Sequence, residues 1–346
     1  MKRKFFSYFL LSIVFVMGMM VSCTKEGPAG KDGAPGKDGE DGINGQDGTA
    51  TCVQCHDNSQ VKFAKTLQWE ASVHATGGNF ERNDADCAAC HTSQGFLQRM
   101  ANGTMEADGT VENPNPQNCY TCHNIHSTYT PDDWGFTYNA PVKLWINDET
   151  VDFGKGNLCI NCHQARIPDP FPVVGGSDVE IGSPYWGAHH GPQGLILGGT
   201  GAFEIGDGYS NGLHTTLVTD GCVTCHMATA YGTQAGGHTM NITYMYHGHE
   251  VINTAGCISC HTDASALNDK IEATQTEFDE LLATLGDLLI AQGIMDENFR
   301  AIPGTMTATQ AGVLMNFNMV REDGSHGVHN GNYVRAILNN SIAAMQ

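Results

Sequence analysis

A five-residue phrase, Cys-x-x-Cys-His, recurs six times in the 346 residues and takes up twelve of the thirteen cysteines. The copies are Cys52–His56, Cys87–His91, Cys119–His123, Cys159–His163, Cys222–His226 and Cys257–His261. On one helical turn the two thiols, three residues apart, lie on the same face, with the imidazole carried just beyond them. From Thr51 onward there are about fifty residues per copy. Whatever this chain folds into must therefore assemble six small sites of the same chemistry with little polypeptide for each.

A Cys-x-x-Cys pair alone also suits a zinc half-site or a redox dithiol, but neither needs a His directly after the second Cys. The full phrase is the attachment signature of a c-type haem. Its thiols, here Cys52, Cys55, Cys87, Cys90, Cys119, Cys122, Cys159, Cys162, Cys222, Cys225, Cys257 and Cys260, add across the porphyrin vinyl groups. The following imidazoles of His56, His91, His123, His163, His226 and His261 bind iron from the proximal side. Six covalently attached haem c groups are expected. At this ratio the porphyrins supply much of the apolar core, and the expected fold is mainly helix and irregular loop wrapped around a haem stack.

Haem attachment of this kind implies an oxidising compartment outside the cytoplasm. The formal charge of −20, from 17 Lys+Arg against 37 Asp+Glu, argues against nucleic acid and against docking on anionic lipid. It suits cationic or metal-bearing partners, and equally suits plain solubility.

The N-terminus has its own texture. Met1-Lys2-Arg3-Lys4 and an apolar run from Phe5 to Val21 have the pattern of a secretory signal over 1–22. The run ends in Met20-Val21-Ser22-Cys23, which resembles a lipoprotein cleavage site. Cys23, the one cysteine outside the motifs, is then the lipidated anchor to the membrane. Thr24-Lys25-Glu26 resembles a short tag that sends some bacterial lipoproteins to the cell surface. From Gly27 to Asp47 every third residue is Gly, so that 23–50 reads as anchor and stalk. Gly at every third position is what three chains packed on one axis require, which makes a trimer one reading and a solvated spacer the other.

Beyond the stalk we expect a hexahaem domain over 51–265, completed by a helical region over 266–346. Six irons closed on both sides need six further ligands, and ten His lie outside the motifs. Val73-His74, Ile125-His126, His189-His190-Gly191, Leu213-His214, Gly237-His238-Thr239 and Val328-His329-Asn330 are the phrases concerned.

These phrases, with the six motifs, resemble bacterial multihaem c-type cytochromes, in the broad group that includes cytochrome c554 and the pentahaem nitrite reductases. The resemblance covers most of the chain from Cys52 onward and implies that the His of a Gly-His-Thr and of a Val-His-Asn phrase are distal ligands. His74, His126, His190, His214, His238 and His329 form the expected distal set. His189 is assigned to a haem propionate, although the sequence does not separate it from His190. His247 and His249 stand as replacements for any of the six.

Between the third and fourth motifs, Val142–Asn147 and Thr150–Phe153 alternate around Asp148-Glu149 and read as a β-hairpin. After the last motif, apolar residues at Ile271, Phe278, Leu281, Leu282, Leu285, Leu288 and Leu289 recur at helical spacing, which predicts a long amphipathic helix over Leu267–Ile294. A second helix is expected over Tyr333–Met345, the two forming a hairpin within the chain or, as the resemblance implies, a dimer contact.

Three functions fit. The first is electron relay through doubly ligated haems, at or beyond the outer membrane, to a redox partner or extracellular acceptor. The second is reduction of a small nitrogen or sulfur species at one open haem; the nitrite reductases mark theirs with Lys in place of the proximal His, and all six motifs here end in His. The third is a cytochrome filament in which a His of one subunit ligates a haem of the next; a lipid anchor argues against it.

Overall fold

The computed structural model describes residues 60–78 and 80–346. The chain divides into two units, Met1–Asp47 and Gly48–Gln346. The signal segment, Cys23, the stalk and the first motif, Cys52–His56, lie outside the described residues.

The described chain is helix-rich with three small sheets. Its α-helices are α1 (Gln60–Glu70), α2 (Ala85–His91), α3 (Ser93–Asn102), α4 (Cys119–Cys122), α5 (Asn157–Ile160), α6 (Gln193–Gly198), α7 (Leu213–Leu217) and α8 (Cys222–His226). Three longer ones close the chain: α9 (Ala264–Ala291), α10 (Ala308–Asp323) and α11 (Gly331–Met345). The strands are β1 (Val142–Lys143), β2 (Thr150–Val151), β3 (Val179–Ile181), β4 (Thr243–Tyr246), β5 (His249–Ile252) and β6 (Gly304–Met306). The hairpin expected over Val142–Phe153 pairs only Val142 with Val151 and Lys143 with Thr150. A second hairpin pairs β4 with β5, and β3 pairs with the distant β6, Val179 opposite Met306.

Helix α9 starts where Asp263 accepts hydrogen bonds from the Ser265 and Ala266 amides. At 28 residues it is about 42 Å long. Its buried stripe runs through Leu267, Phe278, Leu285, Gly286 and Leu289. Helix α10 opens on a capping box between Thr307 and Gln310. It is buried on every side, from Ala308 through Val320 to Asp323, and is the centre of the fold. The polar residue at its middle, Asn316, is satisfied: it accepts from the Phe203 amide at 2.8 Å and donates to the Phe203 carbonyl at 2.9 Å and to Ser341 Oγ at 3.0 Å.

One apolar cluster joins α9, α10 and α11 to Leu144 and Ile146 of the hairpin loop, Ile160 of the fourth motif, and Leu195 and Ile196 of α6. The C-terminal part therefore owns a side-chain core in addition to whatever a porphyrin contributes. The region before Thr137 has a much smaller one, Ala88 with Ala107 and Val111. Among the described residues no helix is long and apolar enough to cross a membrane.

Candidate haem sites

The motif helices are short, and those of the second and third motifs are capped by a side chain on their N-terminal side. Asp84 accepts from the Cys87 amide at 2.8 Å, and Asn118 forms a reciprocal cap with Thr121 inside the third motif. Gly221, directly before Cys222, has φ +47, and a Cβ there would lie 2.7 Å from that of Phe153. Only glycine fits that entry into the fifth motif.

Each of the five described motif histidines faces a histidine from outside the motifs. The ring centroids lie 6.4 Å apart for His91 and His189, and 6.2 Å for His123 and His238. They lie 6.2 Å apart for His163 and His74, 6.3 Å for His226 and His329, and 6.2 Å for His261 and His214. Two imidazoles on opposite sides of one metal ion, each bonded at about 2.0 Å and with ring centres about 1.1 Å further out, have centroids about 6.2 Å apart. The spacing is that of a ligated pair.

The tautomers agree with it. His226 Nδ1 donates to the Met240 carbonyl at 2.9 Å and His214 Nδ1 to the Val328 carbonyl at 2.7 Å. His163 Nδ1 donates to Gln193 Oε1 at 3.1 Å, and His74 Nδ1 faces Met240 Sδ at 2.9 Å. His329 Nδ1 meets Asp323 Oδ1 at 2.6 Å, while His123 Nδ1 lies 3.4 Å from the Gly135 carbonyl. A proton fixed on Nδ1 leaves the Nε2 lone pair for a metal.

Electrostatics keeps most of these rings neutral, the form that binds iron. Burial, reinforced by the charge of His163, pushes His74 down to about 4. Burial does the same to His189, with His190 and Arg166 adding to it, and to His238, with Lys65 adding to it; both fall to about 4. For His329 burial acts downward, but the charge and hydrogen bond of Asp323 outweigh it and the ring is raised.

The side chains around these pairs suit a porphyrin. Val73, Leu213 and Leu217 flank His74 and His214 yet are 78%, 72% and 64% exposed, large apolar faces that a macrocycle would cover. Arg99 is 2% exposed and lies over the rings of Phe96 and Trp145. It donates to the Asn161 carbonyl at 2.8 Å and has no carboxylate partner among the described residues. A buried guanidinium between the second and fourth motifs calls for an anion, and a haem propionate is one. No group of three or more His, Cys, Asp or Glu suited to a bare metal ion occurs among the described residues. The residues present fit haem.

The sites also touch one another. Arg99 reaches from Cys90 Sγ of the second motif, at 3.7 Å, to the Asn161 carbonyl of the fourth, at 2.8 Å, and a Cβ on Gly156, just before the fourth motif, would lie 3.1 Å from the Cys222 backbone nitrogen of the fifth. Thr121 Oγ1 of the third motif donates at 2.8 Å to Ser93 Oγ, two residues past the second, and a Cβ on Gly256, just before the sixth motif, would lie 3.0 Å from Cys225 Cα of the fifth. The third motif thus adjoins the second and the second adjoins the fourth, which is followed by the fifth and then the sixth.

His74, His214, His238 and His329, singled out from sequence, all sit opposite a motif histidine. His190 does not; it pairs with Glu322 at the surface, and the ring facing His91 belongs to His189. His126 stacks on Tyr129 at 5.5 Å, and the motif left for it, at His56, lies outside the described residues. His247 and His249 are on the exposed β4–β5 hairpin, His247 against Tyr246.

No protein-family model matches this chain. A variant-specific surface protein, VSP4A1 of Giardia intestinalis, is 24% identical over 133 residues, which is 34% of this chain and 19% of that protein. So short a match bears on a segment only. Among solved structures, the crystal structure of the outer cell wall cytochrome OcwA is similar with a TM-score of 0.53 at 20% identity, over 82% of this chain. This chain spans about half of that one, 50%. The fold described above is thus one that a cytochrome of the outer cell wall also adopts.

Proposed function

We propose that this chain is an exported hexahaem c-type cytochrome that relays electrons between a redox partner and an extracellular acceptor. The observation that carries the reading is the opposition of every described motif histidine to a second imidazole at 6.2–6.4 Å. Irons closed on both sides carry electrons and leave no position for substrate. The axial pairs are His91 with His189, His123 with His238, His163 with His74, His226 with His329 and His261 with His214. His189 thereby replaces His190, and His126 is assigned to the first haem with His56. The contacts between motifs support a path that runs from the second and third haems to the fourth, and from the fourth through the fifth to the sixth. The likeness to an outer cell wall cytochrome supports a surface location. Lipidation at Cys23 and the Gly-x-y stalk, which would anchor and space the domain, belong to the same proposal.

Protein-film voltammetry of the purified holoprotein tests relay against reduction. Reversible waves unchanged by nitrite, hydroxylamine or tetrathionate are expected. A catalytic current with any of the three would overturn the relay reading in favour of an open haem.

A further inference from the structure

The nitrogens that turn away from iron differ in what they meet. At the fourth site they meet a neutral amide oxygen, Gln193 Oε1, and a thioether sulfur, Met240 Sδ, a weak acceptor. At the sixth site His214 meets the Val328 carbonyl, and at the third His123 has a long contact to the Gly135 carbonyl. The fifth site is different. There His226 donates to the Met240 carbonyl, and His329 donates to a carboxylate, Asp323, that is 2% exposed. Both Asp323 oxygens are occupied as acceptors: Oδ1 by His329, and Oδ2 by the Ser325 hydroxyl and amide. That is how a buried carboxylate is satisfied without a cation, with one of its oxygens set against the ring.

The fold holds this arrangement from three directions. Helix α10 ends at Asp323, with Gly324 in the left-handed region at φ +65. The turn then passes Gly327, φ +83, where a Cβ would lie 1.9 Å from Phe278 Cδ2 of α9. Asn330 caps α11 and also accepts from the Gly212 amide, fixing the far side of the turn. His329 and its carboxylate are therefore placed by the most buried part of the molecule.

We infer that Asp323 is a positioning residue that makes His329 the most electron-rich axial ligand of the described sites and the fifth haem the last of them to be reduced. A carboxylate partner raises the basicity of an imidazole ligand and favours the ferric ion over the ferrous. Because the fifth site links the fourth to the sixth, a low-potential haem there separates, among the described sites, an electron pool on the second, third and fourth haems from one on the sixth. Each transfer across it oxidises one ferrous iron and reduces its ferric neighbour by one electron, and no proton moves. The inference rests on the ligation read above.

Spectroelectrochemical titration of the holoprotein tests it, with Asp323→Asn as the first variant. Asn keeps the shape and an acceptor oxygen but removes the charge. Second-shell losses of this type change metal-site equilibria about 10–100-fold. One of the steps should therefore move up by tenfold or more in its reduction equilibrium, about 59 mV per tenfold, with the others in place. Ser325→Ala, which removes a donor from Asp323 and strengthens its pull on His329, should move the same step down. If neither variant moves any step, or if the two move it in the same direction, the inference is wrong. His329→Ala separates the two readings. If it yields a high-spin iron while the Asp323 and Ser325 variants leave the potentials fixed, only this inference fails. If it stays wholly low-spin, the ligation reading fails with it.

Discussion

Replacing His189 and His190 in turn distinguishes two neighbouring rings that the fold treats in opposite ways. His189 faces His91 at 6.4 Å, whereas His190 points outward, 72% exposed, to Glu322. His189→Ala removes the sixth ligand of one haem among six, so one-sixth of the iron should become high-spin. The haem count should stay at six, because the thioethers at Cys87 and Cys90 are untouched. His190→Ala removes only an exposed ion pair, worth about 0–1 kcal/mol. For a chain of this length that corresponds to a fall in Tm of at most about 2–4 °C, with no change in spin state. The assay is ferric EPR beside quantified haem, with thermal melts of both variants. A high-spin signal from His190→Ala together with an unchanged spectrum from His189→Ala would refute the assignment.

Other expected outcomes follow from the same geometry. Phe278→Ala, at a side chain 1% exposed between α9 and the turn at Gly327, should cost about 3–5 kcal/mol in denaturant unfolding. Gly327→Val combines a left-handed φ with the Phe278 ring and should destabilise by more than about 1–3 kcal/mol, disturbing the fifth haem first in potentiometric titration. Arg99→Met should lower the potential of the second or the fourth haem, because a buried positive charge beside ferric iron favours its reduction; voltammetry reads the sign. His247→Ala and His249→Ala, on an exposed hairpin, should leave spin state and haem content unchanged.

The repeated motif made one imidazole of each of the five described histidine pairs legible in the sequence, and period-3.6 spacing after His261 announced α9. Helix α10 left no such mark. It is buried on all faces, so its apolar residues have no polar side to alternate with, and its Asn316 and Asn318 look like loop residues until Phe203 and Ser341 are seen to satisfy Asn316. The consequence is local: Asp323 and the turn to His329 hang from that helix, so the carboxylate behind a ligand was not readable. The choice between His189 and His190 depends on Glu322, a residue far along the chain, and no local pattern carries it. The hairpin at Val142 was visible by alternation, but its ladder is short, because Leu144 and Ile146 leave the strand to enter the core. The strand pair of Val179 with Met306 joins segments too distant for any turn signal.

Low-temperature EPR of the fully oxidised protein, with haem content measured on the same sample, bears most directly on the claim that all six irons are doubly ligated. The account predicts six haems per chain and low-spin ferric signals alone. Those signals should fall into two kinds, because perpendicular imidazole planes leave the iron d orbitals nearly degenerate and tilted ones split them. The second, fourth and sixth sites, with interplanar angles of 86°, 84° and 82°, should give strongly anisotropic spectra. The third and fifth, at 35° and 48°, should give rhombic ones. A high-spin signal from one-sixth or more of the iron, shifted by nitrite or hydroxylamine, would contradict the account and mark an open haem.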